Sequence, residues 1–372
     1  MKVVVALDSF KGSLTAGEAC NLVAAVLRDA RSEWRVFTRP MADGGEGTAS
    51  VLVEAGAGEW RKMPGVTGPL PGMLLQSGYG WLPGSRTAVV EMAAASGLAL
   101  LPSDRRNPLL TTSIGTGQLM ATAIGQGAKK ILLTLGGSAT VDGGVGAAGA
   151  LGWRFLDRRG KKVPPGGGSL AEIRRLVAPV RKLPEVEVLC DVTNPLCGPF
   201  GAARVFAPQK GATPAMVRQL EQGLRHLAGL VRRQLGKEIL RIPGGGAAGG
   251  FGAGAAAFFG ARLVSGVETV MQSTGLGDAL DGADWVITGE GSFDEQSFQG
   301  KVVSGVRNAA LRRGVKVAVL AGRVKLAADR WRAEGISLAE AAAPEDLEES
   351  RALAGSRRLL AEAAARLGAA LT

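Results

Sequence analysis

The sequence has 372 residues, 46% of them hydrophobic and 21% charged, which is enough ordinary globular chain for two domains with separate cores. Its formal net charge of +11 raises the question of nucleic-acid binding, but the basic residues are scattered along predicted helix faces and no nucleic-acid motif occurs, so we expect no nucleic-acid partner. No apolar run reaches the roughly 18 residues of a membrane span, and the start MKVVVALDSFKGS lacks a signal-peptide pattern, so we expect no membrane partner.

The first elements along the chain predict a strand, a helix and a second strand. An apolar strand at 3–7 is followed by Thr15 and Glu18 in the T-x-x-E spacing of a capping box, which predicts a helix from about Ala16. A second strand is expected over 35–39. The loop ADGGEG and a short helix follow it.

The middle of the chain has a different pattern. Prolines and alternating apolar residues over 64–90 predict antiparallel strands or a hairpin. A glycine-containing helix, a strand ending at Leu135 and another ending at Asp191 come next. A regular apolar stripe then predicts a helix over 215–235.

Strand–loop–helix alternation returns near the end of the chain, with strands expected at 284–287, 315–320 and about 335–338. Such alternation is typical of parallel sheets covered by helices. Since the first two strands have the same character, we place all five in one parallel sheet.

We therefore predict an α/β fold in which both chain ends form one domain. Residues 1–66 and 281–372 would build a flavodoxin-like parallel sheet with strand order 2-1-3-4-5, and residues 67–280 would form an inserted second α/β domain. Ligands bind beyond the carboxyl ends of the strands at the switch point of such a sheet. The cleft between the two domains is the expected site.

Glycine-rich loops at the ends of predicted strands carry the residue types of a Mg²⁺–nucleotide site. Carboxylates bind Mg²⁺, and the backbone N–H groups of glycine loops bind phosphates. Helix caps and turns explain any single loop equally well, whereas five such loops at strand ends favour a site. The polar residues in these loops are Asp8, Lys11, Asp43, Glu46, Ser138, Thr140, Asp191, Asn194, Arg204, Lys210, Glu290, Asp294 and Lys301.

Other features argue against alternative chemistries. The motifs GVGAAG at 144–149 and GFGAG at 250–254 are better interpreted as close packing than as dinucleotide fingerprints, because neither sits at the turn directly after a strand. The lone His226 lies off the apolar stripe of its helix, which predicts a surface residue without a role in the chemistry. The 3 cysteines are too few and too scattered for a disulfide scaffold or a zinc site, which fits a cytoplasmic protein.

Six motifs follow one another from Met1 towards the final helices. They are DSFKGSLTA, MADGGEGT, NPLLTTSIGTGQL, GGSATVDGG, DVTNPLCGPFGAARVFAPQKGAT and ITGEGSFDEQ with a later GK. Together they resemble the signatures of the bacterial glycerate kinases of the two-domain type (the glycerate 2-kinase type). The sequence departs from the family pattern at Val141, Phe293 and Phe298, which bears on fine substrate choice.

The resemblance implies ATP- and Mg²⁺-dependent phosphorylation of D-glycerate at the 2-hydroxyl. Nucleotide phosphates are then expected at Gly136, Gly137, Ser138 and Thr140, the substrate at Asp8, Ser9, Lys11, Asn194 and Arg204, and Mg²⁺ at Glu290 and Asp294. With histidine excluded, Asp8, Asp43, Asp191 and Asp294 compete as acceptor of the hydroxyl proton. Asp191 is our first choice and Asp43 the second, with Lys11 as the cation between anionic groups.

Two alternatives stay open from the sequence. One is a kinase for another small hydroxy acid, and the other is a nucleotide-binding regulatory protein without turnover; a dehydrogenase ranks third. The position of phosphorylation, the division of the carboxylates between base and metal ligands, and a homodimer are also left open.

Overall fold

The computed structural model describes residues 1–180, 182–298 and 300–372. Within them the strands are β1 (Lys2–Leu7), β2 (Arg35–Thr38), β3 (Glu59–Thr67), β4 (Leu74–Leu82), β5 (Thr87–Glu91), β6 (Lys130–Thr134), β7 (Arg154–Leu156), β8 (Arg175–Val177), β9 (Glu185–Leu189), β10 (Arg262–Val264), β11 (Trp285–Gly289), β12 (Ser292–Phe293), β13 (Lys316–Ala321), β14 (Arg323–Val324) and β15 (Leu338–Ala341). The α-helices are α1 (Ala16–Ala30), α2 (Thr48–Ala55), α3 (Ala93–Ser96), α4 (Ile114–Gly125), α5 (Val145–Ala150), α6 (Ala202–Phe206), α7 (Pro214–Leu235), α8 (Ala247–Gly254), α9 (Gly266–Thr274), α10 (Leu276–Leu280), α11 (Val302–Leu311), α12 (Ala328–Ala333), α13 (Glu349–Ala354) and α14 (Ser356–Ala370). No helix in these ranges is long and apolar enough to cross a membrane.

The chain forms two compact units. The terminal unit comprises Met1–Asp43 and Val267–Thr372, and the central unit comprises Gly44–Gly266. The chain thus crosses between units after residues 43 and 266, whereas the sequence suggested 66 and 280. The earlier first crossing arises because β3 pairs with β4 and α2 packs on β4 and β5, so both belong to the central sheet.

The terminal unit contains a five-stranded parallel sheet in the order β15-β13-β11-β1-β2. Numbered within this sheet alone, the order is 2-1-3-4-5, as predicted. Val5 of β1 pairs with Ile287 of β11 on one side and with Thr38 of β2 on the other. The strands are almost continuously apolar because a parallel sheet of this kind is covered on both faces.

Helix α1 begins as its capping box predicts. The Glu18 N–H donates to Thr15 Oγ1 at 3.2 Å, and the Thr15 N–H donates to Glu18 Oε2 at 2.9 Å. The helix buries Ala19, Val23 and Leu27 and packs against α14. The cap therefore fixes the far end of the loop that follows β1, which carries several of the predicted site residues.

The central unit contains a six-stranded mixed sheet in the order β10-β9-β6-β5-β4-β3. Strands β3, β4 and β5 form an antiparallel meander, as predicted for this part of the chain, and the remaining neighbours are parallel. The register of β3 shifts between Met63 and Val66, where Pro64 cannot donate a ladder hydrogen bond and Gly65 has a φ of 70°.

Candidate active site

A cavity of about 410 Å³ in the terminal unit lies at the carboxyl ends of β1, β11, β13 and β15. The neighbouring strands β1 and β11 form the switch point of the sheet, and the Asp8 N–H donates to Gly289 O at 2.9 Å across it. The polar lining consists of Asp8, Ser9, Lys11, Ser13, Asp43, Glu290, Ser292, Asp294, Lys301, Arg323, Lys325, Glu349 and Ser356. The terminal unit therefore brings six of the predicted site residues into one cavity: Asp8, Ser9, Lys11, Asp43, Glu290 and Asp294.

Asp8 is the carboxylate with the most perturbed environment in this cavity. Its side chain is buried, and its Oδ1 accepts a hydrogen bond from the Ser9 N–H at 2.6 Å. Burial raises the pKa of Asp8 to about 7, with further increases from the negative charges of Asp43 and Glu290 and an opposing effect of Lys11. A carboxylate with this pKa can exchange a proton near neutral pH.

Glu290 and Asp294, the two predicted metal ligands, lie in different environments. Glu290 Oε2 is 3.6 Å from Lys301 Nζ, and Glu290 Oε1 is buried without a hydrogen bond to a described residue. Burial raises the pKa of Glu290, and Lys301 opposes this shift. Asp294 Oδ1 instead accepts the Gln296 N–H at 3.0 Å, so its carboxylate caps the following turn.

The carboxylate oxygens at this cavity suit a Mg²⁺ ion that is also bound by substrate phosphates. Among the described residues no group of three or more His, Cys, Asp or Glu stands close enough to hold a metal ion. Mg²⁺ in kinases is usually bound by one or two carboxylates together with water and substrate phosphates. The oxygen donors of Asp43 and Glu290 therefore fit a metal that arrives with a nucleotide rather than a permanent protein cage.

The loop after β6 in the central unit is held in a fixed shape. The Ala139 N–H donates to Ser96 O at 2.9 Å, and Gly137 O accepts the Leu98 N–H at 2.7 Å. Gly136 must be glycine, because a Cβ there would lie 2.4 Å from Gly45 Cα. The N–H groups of residues 136–138 donate to no described residue and are thus available to an anion.

A buried lysine donates two hydrogen bonds to this loop. Lys210 is 2% exposed, and its Nζ donates to Ser138 Oγ at 2.9 Å and to Thr140 O at 2.8 Å. Burial lowers the pKa of Lys210 to about 7, and the negative charge of Asp142 opposes the shift. The sequence placed Lys210 among the polar loop residues but gave no sign of its burial.

Asp142 joins two helices at their N-termini and was not selected from the sequence. Its Oδ2 accepts from the Ser113 N–H and Oγ, both at 2.8 Å, and from the Gly146 N–H at 3.2 Å, while Oδ1 accepts from Gly144 at 3.1 Å. Ser113 precedes α4 and Gly144 precedes α5. An Asp directly before Gly-Gly at a helix start is the sequence signal that could have revealed it.

The remaining predicted residues also lie in the central unit. Asp191 Oδ1 accepts hydrogen bonds from Ser265 Oγ at 2.7 Å and the Gly266 N–H at 3.1 Å. Asn194 Nδ2 donates to Phe200 O at 2.9 Å and so holds its own loop, and Arg204 is exposed on α6. Their proposed roles towards substrate stay predictions.

The glycine motifs pack closely as expected, whereas the histidine is less exposed than expected. A Cβ on Gly117 of α4 would lie 2.4 Å from Ala147 O of α5, and one on Gly254 would lie 2.0 Å from Gly143 O. These motifs therefore permit close packing. His226 is half-buried rather than a fully exposed surface residue, and its Nε2 lies 2.6 Å from Ile173 O.

The positions that depart from the family pattern belong mainly to the core. Val141 and Phe293 are fully buried, and Phe293 packs edge-on against Phe298 with ring centroids 5.5 Å apart. Neither Val141 nor Phe298 lines the terminal-unit cavity. Their bearing on substrate choice stays a prediction.

A parallel α/β sheet with carboxylates and lysines at its switch point, together with a glycine loop on a second sheet, is typical of phosphoryl-transfer enzymes. The model of the Glycerate kinase family matches residues 3–372. The chain therefore belongs to the glycerate kinase family, and it is a kinase.

Individual relatives agree with this assignment. The chain is 44% identical to a glycerate kinase of Halalkalibacterium halodurans over 97% of this chain and 96% of that protein. It is 43% identical to glycerate 2-kinase of Escherichia coli K12 over 87% and 85%. A crystal structure assigned to glycerate kinase 2 of Salmonella typhimurium LT2 superposes with a TM-score of 0.86 at 40% identity, covering 100% of this chain and 98% of that one.

Proposed function

We propose that this kinase transfers the γ-phosphoryl group of ATP to the 2-hydroxyl of D-glycerate and requires Mg²⁺. The observation that carries the proposal is Asp8, a buried carboxylate with a pKa of about 7 in a cavity that also holds Lys11. The name of the Escherichia coli relative, glycerate 2-kinase, supports the 2-hydroxyl.

Asp8 would accept the proton of the substrate hydroxyl. Its Oδ1 is occupied by the Ser9 N–H, which leaves Oδ2 for the proton. As the proton moves to Oδ2, the hydroxyl oxygen bonds to the γ-phosphorus and the bond between that phosphorus and the bridging oxygen of ADP breaks. Asp191, the first choice from the sequence, and Asp43, the second, remain the competing candidates for this role.

Lys11 would bind the carboxylate of glycerate. The carboxylate and the triphosphate repel each other, and a cation between them offsets the repulsion. Because the 2-hydroxyl is on the carbon next to the carboxylate, a cation that holds the carboxylate also fixes the distance of that hydroxyl from Asp8. Ser9, Asn194 and Arg204 remain proposed as further substrate contacts.

Backbone N–H groups would bind the phosphates, and carboxylates would bind the metal. The N–H groups of Gly136, Gly137 and Ser138 are suited to phosphate oxygens, with Thr140 next to them. Glu290 and Asp43 would hold Mg²⁺, with Asp294 as the weaker candidate because its carboxylate caps a turn. When bound, Mg²⁺ neutralises charge on the phosphates during transfer.

A substrate panel tests this function. ADP release would be followed with D-glycerate, L-glycerate, D-lactate, which has only the 2-hydroxyl, and 3-hydroxypropionate, which has only the 3-hydroxyl. We expect turnover with D-glycerate, a residual rate with D-lactate and none with 3-hydroxypropionate, and ³¹P NMR should identify 2-phosphoglycerate. A 3-phosphoglycerate product, or a preferred acid other than D-glycerate, would contradict the proposal.

A further inference from the structure

A second cavity, the central-unit cavity, has a volume of about 390 Å³. Its walls come from α4, α5, β7 and the segment at 162–165, all within the central unit. None of the residues proposed for substrate, phosphate or metal binding lines it. The volume falls in the range of roughly 300–1,000 Å³ that is typical of sites for small molecules.

The aromatic wall of the central-unit cavity is fixed by buried contacts. Trp153 Nε1 donates to Phe258 O at 3.1 Å, and the two rings meet edge-on with centroids 5.1 Å apart. Phe155 meets the same Phe258 ring with centroids 5.4 Å apart, and its O accepts the Val163 N–H at 2.9 Å. A ligand would therefore meet this wall without first having to order it.

Gly149 of α5 leaves space in the central-unit cavity. It is exposed, and among the described residues a Cβ there would meet no heavy atom within 4 Å outside the backbone of its own helix. Gly117 of α4 and Gly146 of α5 differ, because a Cβ on either would lie 2.4 Å from a neighbouring oxygen. Packing therefore does not require a glycine at position 149, where a larger side chain would enter the cavity.

The charge of the central-unit cavity is positive. Arg154 and Lys162 line it, and no Asp or Glu is among the described residues of its lining. Neither cation forms an ion pair with a described residue, whereas Lys130 and Arg262 of the same unit pair with Glu187 at 2.7 and 2.6 Å. The cavity thus offers two positive charges to an anion.

Gln118 adds a hydrogen-bond donor to the same lining. Its Oε1 accepts the Thr67 N–H at 2.8 Å, which fixes the orientation of the amide. Its Nε2 donates to no described residue and can therefore donate to a ligand oxygen. An amide donor and two cations in one lining suit a carboxylate.

We propose that the central-unit cavity binds a small organic acid with an apolar body, of which an aromatic carboxylate is the simplest form. The two cations and Gln118 Nε2 suit its carboxylate, and the walls around Trp153 and Phe155 suit its body. A fully polar anion such as glycerate would leave these walls uncovered. A neutral apolar molecule would leave both cations without a partner.

Binding of 2-naphthoate to the full chain tests the proposal, with 2-naphthamide as an uncharged counterpart of the same shape. Gly149→Leu places a side chain in the cavity. Gly125→Leu is the matched control, since Gly125 ends α4 outside the cavity, is exposed, and also has open space around a Cβ. Calorimetry would measure both ligands, and the KM for D-glycerate would show that each variant is folded.

We expect saturable binding of 2-naphthoate at one site with a Kd of about 1 mM or lower, in keeping with a ligand of this size. Gly149→Leu should weaken it at least about tenfold, because the side chain occupies the space of the ligand. Gly125→Leu should leave the Kd unchanged. Both variants should keep the KM for D-glycerate of the unmodified protein.

A second pair of variants tests the charge. Arg154→Gln combined with Lys162→Gln should raise the Kd of 2-naphthoate about fivefold, the effect of losing two partly solvated ion pairs, and should leave 2-naphthamide unaffected. Arg158→Gln combined with Lys161→Gln removes two exposed charges from the same stretch of chain outside the cavity. This control should bind 2-naphthoate like the unmodified protein.

Several results would overturn the proposal: no saturable binding of 2-naphthoate up to about 10 mM, equal affinities for the acid and the amide, or an unchanged Kd in Gly149→Leu. Light scattering that shows a dimer dissociated by Gly149→Leu would also overturn it, since a second copy of the chain would then cover the cavity. None of these results depends on the reaction proposed above, because 2-naphthoate has no hydroxyl to phosphorylate.

Discussion

Lys210 Nζ lies 2.9 Å from Ser138 Oγ in the interior of the central unit, and the lysine is 2% exposed. A buried ammonium group is costly unless its donors are satisfied, and Thr140 O accepts a second hydrogen bond at 2.8 Å. Both acceptors belong to the loop that we propose for phosphate binding. Lys210 therefore sets the shape of this loop without itself being exposed to a ligand.

Lys210→Met should keep the volume of the side chain but lose both hydrogen bonds. We expect the ATP KM to rise about tenfold, because a buried hydrogen bond left unmade costs roughly 1–3 kcal/mol and the loop loses its support. Lys237→Met is the matched control, since Lys237 is exposed in the same unit and donates to Ala257 O at 2.7 Å. An unchanged ATP KM in Lys210→Met would remove the loop from phosphate binding.

Burial of the same lysine predicts how the free energy of unfolding depends on pH. Its pKa is lowered by burial to about 7 in the folded protein, below its ordinary value of 10.5, so the unfolded chain binds more protons between these values. The free energy of unfolding should therefore rise with pH over this range in the unmodified protein, relative to Lys210→Met. Urea denaturation at pH 7 and pH 9 measures the difference, and a difference independent of pH would contradict the lowered pKa.

Lys11→Ala tests the proposed contact with the substrate carboxylate. Because Lys11 is exposed, the loss should be that of a partly solvated ion pair, with the glycerate KM rising about fivefold. Lys316→Ala removes the same charge at the start of β13, at the opposite end of the sheet, and should leave KM unchanged. Equal effects of the two substitutions would mean that only the overall charge of the protein matters.

Glu290→Gln, compared with Asp294→Asn, tests which of the two predicted ligands binds Mg²⁺. The Mg²⁺ concentration for half-maximal activity should rise at least tenfold, since even indirect changes at metal sites often cost about 10- to 100-fold in affinity. Asp294→Asn should lower stability with little change in Mg²⁺ dependence, because its carboxylate caps a turn. The reverse pattern in a Mg²⁺ titration would exchange their roles.

Much of the fold could be predicted because its signals are local. Apolar strands separated by helix signals were enough to order the terminal sheet, and Thr15 and Glu18 located the start of α1. The strand β10 was not predicted, because a strand of three residues that begins with a polar one is too short to show an alternation of apolar and polar residues. The chain crossing after residue 43 was missed because it depends on pairing between β3 and β4, which no single segment encodes.

The site was predictable only in part, for a related reason. The loops at strand ends identified Asp8 and Glu290, because parallel strands bring their carboxyl ends to one edge. The raised pKa of Asp8 depends on burial beside Asp43 and Glu290, which come from three separate stretches of chain. The buried contact of Lys210 with Ser138 likewise joins residues 72 positions apart.

The pH dependence of kcat/KM for D-glycerate, compared between the unmodified protein, Asp8→Asn and Asp191→Asn, tests the central claim that Asp8 is the proton acceptor. Since the ionised carboxylate is the active form, activity should rise with pH through about 7 in the unmodified protein. This rise is the acidic limb of the pH profile. Asp8→Asn should lower kcat about 10²- to 10⁴-fold and abolish this limb. Asp191→Asn should change kcat less than about tenfold and keep the limb. His226→Gln should also keep the limb, which excludes the lone histidine as its source. A limb that survives in Asp8→Asn and disappears in Asp191→Asn would contradict the claim and assign the proton to Asp191.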